Sequence, residues 1–168
     1  MNPESRTGEE VPGYVEELRR VVEEAAPRLL QMTDVEAKRR PRPEKWSPAE
    51  IIGHLIDSAS NNHQRFVRAQ FQNDLVFPGY DQDAWVAFQT YRDAQWVDLV
   101  TLWRIFNILI ARIMENSPES VRKSPRAKHN LDKLAWRPVP TDQPATLDYF
   151  MNDYVGHLKH HLAQIFPD

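Results

Sequence analysis

Apolar residues recur at three- to four-residue spacing along four long stretches of this chain. Nowhere do Val, Ile and Thr alternate in the two-residue rhythm of a half-buried strand. A chain patterned this way can bury its apolar stripes only by packing helix on helix. The first stripe is Tyr14, Leu18, Val21, Val22, Ala25 and Leu29, with Glu and Arg residues on the opposite face. Pro27 is expected to kink this helix or end its regular part. The second helix has the sharpest start. Ser47-Pro48-Ala49-Glu50 places a capping serine before a first-turn proline, with Glu three residues after the cap. Trp46 before the cap is expected to staple onto Ile51, and the stripe of Ile52, Leu55, Ala59 and Phe66 carries the helix to about residue 72. The third long helix spans 94–116, with Trp96, Leu99, Trp103, Phe106, Ile110, Ile113 and Met114 as core candidates. The fourth spans 146–166, with Met151, Leu158, Leu162 and Ile165 inward.

The intervening segments read as connections. Residues 33–45 carry Pro41 and Pro43 in a basic run, and 73–83 break at Asn73, Pro78 and Gly79 before a short helix over 84–91. Residues 118–145 hold five prolines and form a long crossing loop with short strands or turns. The expected architecture is all-α: a four-helix bundle with long loop crossovers, one domain over 11–168 behind a flexible tail at 1–10.

Composition narrows the chemistry. With no cysteine, disulfides, thiolate metal sites and Cys nucleophiles are excluded, so a transition metal has only His and carboxylate to hold it. A net charge of −3 argues against nucleic acid as the main partner, since phosphate binding is driven by cationic surface. No apolar run approaches the roughly 20 residues of a membrane span. The first ten residues have no signal-like apolar core, so a cytoplasmic protein without membrane partner is expected. The five Trp, five Tyr and seven Phe permit a homodimer interface without requiring one.

The last helix contains His157-Leu158-Lys159-His160-His161. Residues four apart share a helix face, so His157 and His161 can reach one ion. His160 competes for that role, but at about 100° per residue it falls on the far side of His157 from the apolar stripe, whereas His161 borders the stripe. No Glu follows the first His, so the zinc-protease mechanism is not implied. A third ligand must come from another element. His54, one turn into the second helix, is the natural candidate if those two helices pack together; His63 and His129 read as surface residues. Three His ligands leave positions open for water or substrate. Ser58, Asn61 and Arg65 follow His54 at intervals of three to four and are expected to line a pocket, while Gln164 is placed to orient an imidazole. Asp57, Asp153 and Tyr154 are candidates for a base or orienting group, the two carboxylates reading equally well as surface charges.

Trp46-Ser47-Pro48, then Gly53-His54-Leu55-Ile56-Asp57-Ser58, and finally Tyr154-Val155-Gly156-His157-Leu158-Lys159-His160-His161-Leu162-Ala163-Gln164-Ile165 resemble the DinB-like superfamily. The nearest likeness is to its YfiT-like branch of metal-dependent hydrolases, whose Tyr-Asp…Trp stretch resembles Pro78-Gly79-Tyr80-Asp81-Gln82-Asp83-Ala84-Trp85. The resemblance implies an up-down-down-up bundle with metal at one end on His54, His157 and His161. It also implies nickel or zinc, sometimes iron or manganese. The stretch before residue 46 lacks the Gly/Pro-rich start of that branch.

Three functions are therefore expected to compete. The first is a hydrolase of a small-molecule substrate, in which the metal lowers the pKa of a water. The second is a thiol S-transferase, in which the metal holds a cosubstrate thiolate; a pocket containing Arg65 or Arg68 would favour it. The third is a non-catalytic, metal-stabilised stress or interaction protein, favoured by a closed site without a pocket.

Overall fold

The structure is a computed structural model and describes residues 10–167; the tail expected at 1–10 lies outside them except for Glu10. The long helices are α1 (Gly13–Leu30), α3 (Pro48–Arg68), α5 (Trp96–Asn116) and α8 (Leu147–Ile165). Between them lie α2 (Asp34–Lys38), α4 (Gln82–Gln89), a 3-10 turn at Tyr91–Asp93, α6 (Glu119–Arg122) and α7 (Leu131–Leu134).

Local chemistry sets these boundaries. At α3 the Ser47 hydroxyl accepts from the Glu50 amide, and the Glu50 carboxylate takes the Ser47 amide at 2.8 Å. Arg40 closes on the same carboxylate, tying the basic connection to the start of α3. That connection also contains a helix. Thr33 and Glu36 form a second capping box that starts α2, so residues 33–45 are not wholly a loop as expected. Helix α1 continues through Pro27 to Leu30. Helix α3 stops at Arg68 and not near 72: the Gln70 side chain takes the Phe66 carbonyl, and the Gln70 and Phe71 amides fall back to Val67 and Arg68 in a tighter turn. Helix α4 ends at Thr90, whose φ of 46° lies in the left-handed region that β-branched residues rarely adopt.

The long helices touch in a ring, α1 to α5, α5 to α3, α3 to α8 and α8 back to α1. Side-chain pairs give their directions. Arg19 meets Glu115 while Glu23, further along α1, meets Arg104, so α1 and α5 are antiparallel. His63 lies by Phe106 and Gln70 bonds Ser117, so α3 runs parallel to α5. Phe66 packs on Phe150 and Tyr154 while His54 meets His157, so α8 runs against α3. Tyr14 bonds Asp148, and Arg28 covers Phe166, so α8 is parallel to α1. The order is up-down-down-up. Trp103, Phe66, Leu18, Leu29, Ile52, Leu55, Ile110 and Met114 fill the centre with essentially no exposure.

Two parallel helices in succession require a long crossover, and the closing connection spans the bundle again. Among the described residues the latter makes no strand, only isolated bridges from Leu75 to His129 and from Arg126 to Ala145. Arg126 pins it by donating to the carbonyls of Ala69, Gln72, Asp74 and Val121. His129 is buried here and not on the surface as expected. Its Nε2 lies 2.7 Å from the Gln143 carbonyl, and its Nδ1 accepts from the Leu131 amide. His63 is half-buried.

Tyr91 packs flat on α3 at Gly53, where an added Cβ would lie 2.1 Å from the ring. Gly53→Ala gains helix propensity but forces this ring away, so a net loss of roughly 1–3 kcal/mol is expected, the usual scale of overpacking. Urea unfolding of the variant measures it; a gain in stability would show that Tyr91 moves without strain.

Candidate metal centre

His54 sits in the second turn of α3, and His157 and His161 one turn apart near the end of α8. Because the two helices run antiparallel, their rings meet. One nitrogen from each of the three rings lies within 4.8 Å of the others, and His54 Nε2 is 3.3 Å from His157 Nε2. The rings stand edge to face, with centroids 4.5 to 5.2 Å apart. Trp46, expected against Ile51, lays its indole beside His54 and His161 at centroid distances of 5.1 and 6.4 Å.

No carboxylate pairs with these rings among the described residues. Burial first, and then the neighbouring imidazoles, push His54 and His157 down to about 3 and His161 to about 4, against an ordinary 6.5. All three are thus neutral at pH 7, the form in which imidazole ligates metal. Buried Nδ1 atoms of His54 and His161 have no hydrogen-bond partner. Two ligands at about 2.0–2.1 Å from a tetrahedral zinc lie about 3.3 Å from each other, the separation seen between the His54 and His157 nitrogens. The donor set fits a borderline divalent metal, with His54, His157 and His161 to hold it.

The cluster forms one wall of a cavity of about 460 Å³. Ser58, Arg65, Asp153 and Tyr154 line it, as does Asn62, while Asn61 does not. Measured from His54 at about 100° per residue, Ser58, Arg65 and Asn62 lie between roughly 20° and 80° around α3. Asn61 and Asp57 fall on the other side. Asn61 donates to the Asp57 carbonyl of its own helix. The Asp57 carboxylate accepts from Tyr91 at 2.7 Å and Gln89 at 2.8 Å, outside the cavity. Burial raises its pKa despite these donors.

Asp153 is in the cavity wall, but its two oxygens accept the backbone N–H groups of Trp136 and Arg137 at 2.8 and 2.9 Å. It holds the loop after α7 over the site. The Tyr154 hydroxyl is turned into the core, donating to Asn107 at 2.6 Å, and burial raises its pKa strongly. Gln164 is exposed; its amide is 3.2 Å from His160 Nε2. His160 is exposed against Trp136. Sequence spacing did not single out Asn62, Trp136 or Tyr80. Tyr80 lines the cavity with its phenol raised to about 12, chiefly by burial. A helical wheel drawn through His54 and Arg65 finds Asn62, but nothing in the sequence places the loops bearing Tyr80 and Trp136.

These depressed imidazole pKa values make stability depend on pH. The unfolded chain takes up protons near 6.5 that the folded protein refuses. The contribution is therefore whole above 6.5 and is lost as pH falls toward the folded values. The melting temperature of the metal-free protein is expected to fall between about pH 6.5 and 4. His157→Gln should make that fall shallower. A melting temperature that rose on acidification would contradict the buried, neutral cluster.

The model of the DinB superfamily matches residues 16–165. A search of the curated proteins found no match. Among solved structures the chain is similar to YfiT from Bacillus subtilis, described as "a probable metal-dependent hydrolase with an unusual four-helix bundle topology". The two share 21% identity over 97% of this chain and 90% of that one, with a TM-score of 0.70, and so share the fold. A match over nearly the whole chain, on a bundle of this order, shows that the protein belongs to the DinB superfamily.

Proposed function

We propose that this protein is a metal-dependent hydrolase of a small-molecule substrate, with one divalent transition metal, zinc or nickel, on His54, His157 and His161. One observation carries the reading. Three neutral imidazoles from two helices converge at the wall of a cavity large enough for a small molecule. When bound, the metal supplies Lewis acidity, which lowers the pKa of water or polarises a carbonyl. The chain's own residues do the rest. Trp46 and the Asp153-anchored Trp136 loop limit water at the cluster. Ser58, Asn62 and Tyr80 offer neutral hydrogen-bonding groups along the cavity. Asp153 accepts through both oxygens, and Asp57, whose Oδ2 is buried without a partner, lies outside the cavity with Oδ1 on Tyr91 and Gln89, so they serve as positioning residues for the Trp136 loop and Tyr91 in preference to a base.

A second reading, the thiol S-transferase, is favoured by Arg65, which lies in the cavity and suits a carboxylate-bearing thiol. No membrane-spanning helix is present among the described residues.

Elemental analysis of untagged protein is expected to find close to one zinc or nickel per chain, lost in His54→Ala, His157→Ala and His161→Ala. Added zinc should raise the melting temperature of the stripped parent but not of the variants, because a ligand that binds only the folded state stabilises it. The metal-loaded parent should then cleave members of an ester and amide panel at rates at least about tenfold above the variants, since even the groups that support a metal ligand are worth about 10–100-fold. A parent that takes up neither metal overturns the reading.

A further inference from the structure

Arg65 lies on the same face of α3 as His54, three turns further along, which is roughly 16 Å at 1.5 Å per residue. It is 5% exposed and lines the cavity that begins at the histidines. Its guanidinium donates to the Pro78 carbonyl at 2.8 Å and to Asn62 Oδ1 at 3.4 Å. Asn62 is itself fixed by donating to the Ser58 carbonyl at 2.9 Å and the Ser58 hydroxyl at 3.3 Å. Most of the five N–H donors of the guanidinium therefore remain unused. No carboxylate pairs with it among the described residues; the ionisable group that acts on it is Tyr80, a phenol that burial keeps neutral.

A buried cation without a counterion is costly, and proteins usually pair it. Here the carboxylate in the cavity wall, Asp153, already accepts two backbone N–H groups. The other lining cation, Lys133, is exposed at the rim. The cavity thus has a pre-oriented, uncompensated positive charge at the end opposite the histidines. A guanidinium fork matches a carboxylate through two parallel hydrogen bonds. One buried charge neutralises one negative charge, whereas a phosphate monoester would leave a second uncompensated.

We propose that Arg65 is an anion subsite that takes the carboxylate of an elongated small-molecule substrate whose reacting group lies toward His54, His157 and His161. The position of the reacting end rests on the metal-centre reading; the carboxylate end does not. Substrates with an uncharged tail are excluded by preference, since they leave the guanidinium desolvated and unpaired.

Two probe pairs separate these ends. Calorimetry on the zinc-loaded protein compares mercaptohexanoate with mercaptohexanol, and on the metal-stripped protein it compares hexanoate with hexanol. In both forms the parent should prefer the carboxylate by at least about tenfold, the scale of a charge-assisted hydrogen bond. Arg65→Gln should abolish the preference while mercaptohexanol affinity and zinc uptake change by less than about twofold, within the scatter of a neutral substitution. Arg65→Lys keeps a charge without the fork and should retain part of the preference; it carries the test if Arg65→Gln does not fold. A parent without preference, or a preference that survives Arg65→Gln, overturns the proposal. Tighter binding of hexyl phosphate than of hexanoate overturns the assignment to a carboxylate. Failure of zinc uptake and of mercaptohexanol binding would count against the metal centre alone, since hexanoate on the stripped protein still decides the role of Arg65.

Discussion

Antiparallel packing of α3 on α8 is the contact on which the site depends. At one end Phe66 meets Phe150 and Tyr154 edge to face; at the other His54 meets His157 and His161. The aromatic end fixes the register that the histidine end requires. Slippage of either helix by one residue would rotate its histidines by about 100°, away from the partner. Three largely buried imidazoles then lie without an acid to share their protons, which holds them neutral with their ring nitrogens brought together. Such a cluster gains little for the metal-free fold and much for a bound cation.

The up-down-down-up order supplies the remaining walls. Because α3 and α5 are parallel, the chain between them must cross the bundle, and it brings Tyr80 and the Pro78 carbonyl that Arg65 donates to against the cavity. The connection from α5 to α8 crosses as well. Arg126 fastens its start to four backbone carbonyls, and Asp153 fastens Trp136 over the histidines. Asp57 and Asp153, which sequence alone offers as catalytic, thus hold Tyr91 and the Trp136 loop, while Arg65, a buried cation with no carboxylate against it among the described residues, lines the cavity.

The helices and the cluster of His54, His157 and His161 were legible in the sequence because both follow from helical spacing. Apolar spacing and the Ser47–Glu50 box mark α3 within a few residues, and the i,i+4 pair on α8 needs only helical geometry. His54 followed once α3 and α8 were taken to pack. What was not legible depends on loops. His129 looks like a surface residue in a charged stretch, yet the Gln143 carbonyl and Leu131 amide satisfy it in the interior. Asp57 shares a motif with His54 but points toward Tyr91, a partner brought by a turn far along the chain. Asn62 rather than Asn61 reaches the cavity because its floor lies to one side of the His54 direction, a tilt that spacing alone does not set. The box at Thr33 that starts α2 was readable and was masked by the prolines beyond it.

The central claim is that three imidazoles and no other protein group hold one metal, leaving coordination open toward the cavity. X-ray absorption spectroscopy of the zinc-loaded protein measures this directly. The account predicts three imidazole nitrogens at about 2.0–2.1 Å and a light-atom ligand that a soluble thiol replaces with sulfur at about 2.3 Å. A shell with fewer than three imidazoles, or one closed by a fourth protein ligand that no thiol displaces, would contradict it.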